Sequence, residues 1–140
     1  MAATTIRSPQ RGTVPRPDFE AFDRATRLSL SEVVAALVGL LGARMVAYVA
    51  GVKETRAVRE WADGSREVRQ RERVEPRLRL ALRIALMLTL QDTPAVAQSW
   101  LQGNNPELGD RVPLRMLRED DIEQAGTAIV AAARTFLAGG

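Results

Sequence analysis

The stretch Val33–Val52 (VVAALVGLLGARMVAYVAGV) carries one charge, Arg44, in 20 residues. That length fits a membrane span. Arg44 lies near its centre, however, at a cost of about 2.5–3.5 kcal/mol on insertion scales. Gly39, Gly42 and Gly51 also divide the run into helix-sized pieces. Read as a helix, the first piece places Val33, Leu37, Leu40 and Leu41 on one face. The run is therefore expected to be buried helices of a soluble protein rather than a span.

Helix signals continue on both sides. Ser29 and Glu32 form a capping-box pattern before a helix over about 30–41, and Gly42 stops it. A second helix covers about 43–50, Gly51 turns the chain, and a third covers about 54–62. Residues 65–75 are charged and read as helix or linker. Pro76 suits the first position of a long helix to about Gln91. Thr93 and Pro94 open another helix ending near Gly103. Residues 104–113 are turn-rich and irregular. A last helix is expected over about 119–137, preceded by a short turn at 114–117. No segment alternates strictly enough for a strand, so the fold class is all-α. Residues 1–17 have the Pro, Thr, Ser and Arg content of a disordered arm, with no apolar segment of the secretory kind. Within 18–27 a short helix would anchor through Phe19 and Phe22. The resulting division is a weakly ordered arm over 1–28, a DNA-binding region over 29–75, and a core helix with a C-terminal module over 76–140.

The chemistry available is narrow. The chain has no cysteine and no histidine, which excludes disulfides, thiolate metal sites, His-based zinc and the Ser-His-Asp triad. Asp120, Asp121 and Glu123 are close in sequence, but consecutive carboxylates face different directions and make a poor magnesium site. No catalytic residue, metal or cofactor is expected, and the inventory points to a binding protein in the cytoplasm. Its basic residues are 19 arginines and Lys53. Residues 1–90 hold 16 basic and 10 acidic groups, a balance of +6, and residues 91–140 hold 4 and 7, a balance of −3.

Residues 41–61 carry a helix-turn-helix pattern. Val46, Ala47 and Val49 would pack one short helix. Gly51 can take the positive φ of the turn, and Val52, Val58 and Trp61 would hold the second helix. Thr55, Arg56, Arg59 and Glu60 then face outward. Arginine is the usual reader of guanine in the major groove, and Lys53 and Arg44 are placed for backbone phosphates. Seven arginines over residues 66–83, Arg66 and Arg69 among them, would extend the basic footprint. The competing reading is a helical hairpin with solvated Glu–Arg pairs. In the long helix, Leu78, Leu82, Ala85 and Leu86 form one face, widened by Leu80, Ile84, Met87 and Leu88. So broad an apolar surface suits a central helix or a dimer interface.

Further on, Trp100-Leu101, Asn105-Pro106, Leu108-Gly109, Pro113-Leu114 and Leu117 occur in an order that resembles the toxin-binding domain of Xre/MbcA/ParS-like antitoxins. The helix-turn-helix with Val58 and Trp61 also looks like the N-terminal part of that family, and the resemblance spans about residues 29–138. It implies an antitoxin whose partner is a RES-domain toxin that consumes NAD⁺. The toxin-binding positions it implies are Trp100, Asn104, Asn105, Pro106, Glu107, Leu108, Gly109, Asp110, Arg111 and Pro113. It also implies repression of the chain's own operator through Arg44, Lys53, Thr55, Arg56, Arg59, Arg66 and Arg69. A homodimer is expected because one helix-turn-helix usually needs a second half-site. A stand-alone transcriptional regulator is the alternative.

Overall fold

A computed structural model describes residues 17–139; of the weakly ordered arm expected over 1–28, residues 1–16 lie outside them, and residues 17–27 form a helix packed on the core. Among the described residues the fold is all-α, as expected, with eight helices. They are α1 (Pro17–Arg27), α2 (Leu30–Leu41), α3 (Ala43–Ala50), α4 (Thr55–Asp63), α5 (Arg71–Thr89), α6 (Pro94–Gln102), α7 (Pro113–Glu119) and α8 (Ile122–Gly139). Among the described residues no helix is long and apolar enough to cross a membrane.

The apolar run forms α2 and α3, and Gly42 breaks it at φ 89°. Ser29 Oγ accepts from the Glu32 amide at 3.2 Å, and Glu32 Oε1 accepts from the Ser29 amide at 2.9 Å. This reciprocal box satisfies two of the orphan donors at the start of α2. Val33, Val34, Leu37 and Leu41 are buried, and Leu40 is half-buried.

The long helix is the hub. Val74, Leu78, Ala81, Leu82, Ile84, Ala85, Met87 and Leu88 of α5 are all buried. It packs against α1, α2, α3, α6, α7 and α8. Its broad apolar surface is therefore that of a central helix. One continuous core runs from Ala21 to Ala133, and the expected boundary at 75/76 falls inside α5.

The structure departs from the sequence reading at three places. Pro76 does not open α5. The helix starts at Arg71, after Gln70 in the left-handed region, and Pro76 sits inside it. Glu75 accepts from Arg71 Nε and from Arg79 Nε, both at 2.7 Å. This ladder crosses the proline and ties the first turns together, offsetting the backbone donor that proline lacks. The short turn expected at 114–117 is a helix, α7, and the last helix starts at Ile122 rather than near Glu119. Asp120 is extended at ψ 166°, and Asp121 Oδ2 accepts from the Gln124 amide at 3.2 Å. The acidic run thus separates the two helices and caps the N-terminus of α8. In α1 the anchors are Ala21 and Ala25, which are buried, while Phe19 and Phe22 are 70% and 51% exposed. Phe22 instead lies under the guanidinium of Arg83, 5.0 Å from its ring centre.

Side chains from distant helices close several helix C-termini. The last carbonyls of a helix have no partner within it, and the terminus favours positive charge. Arg79 Nη1 donates to Ala25 and Leu28 at the end of α1. Arg73 Nη2 donates to Ala50 at the end of α3, and Arg77 Nη1 to Leu117 near the end of α7. Arg118 Nη1 donates to Tyr48 in α3 at 3.3 Å, with its guanidinium 4.6 Å from the Tyr48 ring centre. Gln98 Nε2 donates to Leu40 in α2, and Ser31 Oγ to Trp61 and Ala62 in α4. The expected phosphate-binding stripe of arginines over 66–83 is thus largely structural: Arg73, Arg77 and Arg79 fasten α5 to its neighbours.

Candidate functional site

The α3–α4 corner is built from its turn outward. Gly51 is left-handed at φ 80°. Its amide donates to Tyr48 and that of Val52 to Ala47, at 3.1 and 3.0 Å. This Schellman arrangement satisfies carbonyls that α3 would leave bare. A Cβ at Gly51 would be strained by the positive φ and would crowd an Arg73 guanidinium nitrogen at 3.3 Å. Val46, Ala47, Val49, Ala57, Val58 and Trp61 are buried on the inner faces. The spacing that pointed inward from sequence does so here.

The outward face holds the expected residues, but several of them bind one another. Arg59 Nη1 donates to Thr55 Oγ1 at 2.9 Å. Glu60 is shared by Arg56 at 3.0 Å and by Arg66 at 2.8 Å. Its hydrogen bond from Arg56 and the nearby Arg66 charge hold the Glu60 carboxyl below the usual range. Arg44, Lys53 and Arg69 are exposed and carry no hydrogen bond or ion pair to any described residue. A groove of about 680 Å³ runs along the corner, with Arg44, Lys53, Arg56 and Arg118 in its lining and Glu54 as the one acid there. Arg118 was not legible in the sequence as part of this site. It is 70 residues from Tyr48, and only the packing of α7 on α3 brings it there.

The loop after α6 is the second candidate. Asn105 is 8% exposed, the one buried polar residue among those described. Its amide donates to Arg111, its carbonyl accepts from Leu108 and Asp110, and its Oδ1 accepts from Glu107. Asn105 and Arg111 form an isolated antiparallel bridge, the small departure from helix expected in this stretch. Leu108 and Pro113 are buried against the core, and Trp100 is half-buried beside Phe136, with ring centres 6.3 Å apart. These four and Asn105 shape the loop. Asn104, Pro106, Glu107, Gly109, Asp110 and Arg111 are exposed, as sequence reasoning expected of Asn104, Glu107, Asp110 and Arg111.

Arg111 closes the loop onto the α7–α8 junction, with both nitrogens on the Asp120 carboxylate at 2.6 and 2.7 Å. The hydrogen bond from Arg111 holds the Asp120 carboxyl below its ordinary value. A depressed carboxyl contributes stability that is present above its unfolded pKa of about 3.9 and is lost as pH falls through the folded value. Thermal melts from pH 7 to 2 should therefore show Asp120→Asn with a flatter acid limb than the parent. Identical limbs would remove this pair from the acid response. Asp120 and Asp121 are also committed to these bonds, and no cluster of acidic residues among those described could hold a metal ion.

The fold and these two surfaces define an all-α protein with a basic corner and a self-braced loop. Comparison with protein-family models, with curated proteins and with solved structures gave no match.

Proposed function

We propose that the chain is a DNA-binding antitoxin. The α3–α4 corner acts as a helix-turn-helix on operator DNA, and the exposed part of the 104–111 loop covers a RES-type, NAD⁺-consuming toxin. The observation that carries the DNA part is the corner groove, where Arg44 and Lys53 are unpaired and Glu54 is the one acid in the lining. Such a surface suits phosphate oxygens. Arg56 and Arg59, held upright by Glu60 and Thr55, stand where base edges would lie. The toxin part rests on the resemblance of residues 97–117 to the antitoxin family. A homodimer would set two corners on half-sites about one helical turn apart.

The test is fluorescence anisotropy on a duplex taken from upstream of the chain's own gene, against a scrambled duplex, together with co-purification of a RES-type protein encoded beside it. Arg44→Ala with Lys53→Ala is expected to weaken both duplexes alike and to reduce the salt slope by about 2, one phosphate each. Arg56→Ala with Arg59→Ala is expected to cost roughly tenfold on the operator, less on the scrambled duplex, and to leave toxin capture intact. Equal binding by parent and variants would end the DNA reading. Failure to retain the toxin, with operator binding intact, would favour the stand-alone regulator. That alternative draws support from Asn105 and Arg111, which are engaged in bracing the loop.

A further inference from the structure

A recess of about 490 Å³ lies behind the corner, between the turn after α3, the inner side of α4 and the start of α5. Gly51, Val52, Ala57 and Val74 give it an apolar wall, and Arg66, Arg69 and Arg73 a basic one, with Glu67 as the single acid. Trp61 also lines it. That residue is 5% exposed, and its indole N–H is buried with no hydrogen-bond partner. A buried indole N–H normally finds an acceptor. Each named polar group of the recess except Glu67 and Gln70 is purely a donor. Gln70, at the mouth, provides no side-chain cap for α5, so the positive end of that helix adds to the donor character. Arg69 is unpaired, Arg73 donates to Ala50 and to Gln70 Oε1, and Arg66 pairs with Glu60.

We infer that this recess binds a small organic anion, a carboxylate or phosphate carried on an apolar body. The volume is that of a pocket for a small molecule. The open Arg69 fork matches a two-oxygen head, and the Arg66 and Arg73 charges lie beside it. The wall of Val52, Ala57 and Val74, with the Trp61 side chain, takes the apolar part. Glu67 repels a second negative charge, so the occupant carries one anionic head. The site needs neither DNA nor a toxin to be occupied.

Calorimetric titration of the full chain tests this, with benzoate, phenyl phosphate, inorganic phosphate and the neutral benzamide as probes. Benzoate and phenyl phosphate are expected to saturate one site per chain with a Kd of about 1 mM or tighter. Inorganic phosphate, lacking the apolar body, is expected to bind at least about tenfold more weakly, and benzamide not at all. Arg69→Gln, which breaks no contact of the fold, should weaken benzoate roughly tenfold. Arg24→Gln, exposed on α1 and outside the recess, should leave benzoate binding unchanged. The inference fails if no aryl anion saturates, if benzamide matches benzoate, or if Arg69→Gln binds as the parent does.

Discussion

Leu82→Ala is expected to destabilise the protein by about 3 kcal/mol, the middle of the range for leucine truncations in well-packed cores. Leu82 is fully buried on the helix against which six others pack. A cavity there is bounded by elements that each hold one another in place, which limits collapse into the vacated volume. For a chain of this size the loss corresponds to a fall in Tm of roughly 10 °C. Leu90→Ala is the matched control. Leu90 follows the last turn of α5 and is 49% exposed, so it should change Tm by no more than a degree or two. Thermal unfolding followed by circular dichroism measures both. Similar shifts for the two variants would mean that α5 is not the centre of the core.

Arg79→Ala is expected to cost about 2 kcal/mol, from one substitution at the core's margin. The guanidinium makes three hydrogen bonds, to Ala25, Leu28 and Glu75, at 2.7–2.8 Å. Its side chain is 25% exposed, so these bonds are screened less than surface pairs are. Hydrogen bonds involving a charged group contribute about 1.5–3 kcal/mol, and truncation leaves two carbonyls at the end of α1 with only water as a partner. Arg79→Lys should recover about half of the loss, because an ammonium cannot reproduce the planar fork. Hydrogen exchange locates the effect. Faster exchange confined to α1 is the expected pattern, and uniform acceleration would assign Arg79 a general packing role instead.

Much of the fold was legible in the sequence, for physical reasons that can be named. The boundaries of α2, α3 and α6 follow from local chemistry: Ser29 with Glu32, the glycines at 42 and 51, and Thr93 before Pro94. Each of these signals acts within four residues, and tertiary contacts do not oppose it. The start of α5 was misjudged because proline is usually excluded from helix interiors. A pair of arginines on Glu75 and packing along the buried face of the helix outweigh that preference. The sequence sets the start of α8 near Glu119, three residues early, because three acids look like a helix start. Asp120 is claimed by Arg111, nine residues away, and no local pattern shows that.

The same reasoning separates the two candidate sites. The inward residues of the α3–α4 corner were readable from helical spacing alone. The groove beside it was not, since Arg118 arrives from α7. The arginine run over 66–83 was read by charge, and charge does not reveal destination. Arg69 stays in water, while Arg73, Arg77 and Arg79 turn to carbonyls on other helices. In the loop, Asn105 stood out by its type. Its burial, and its four hydrogen bonds to the loop's own groups, are products of the folded chain.

The cross-helix closures of the C-termini also determine how the molecule comes apart. α3, α4 and α7 have 8, 9 and 7 residues, below the length of about 12–15 at which isolated helices hold together in water. Each has carbonyls near its end capped by a side chain from a segment 23 to 70 residues away. None of these helices is complete until its distant partner has docked, and the partner's helix shares the same core. Folding is therefore cooperative across the whole described chain, with little for a partly assembled fragment to gain. A cut at residue 75, the boundary expected from the sequence, falls inside α5 and would yield two disordered peptides rather than two domains.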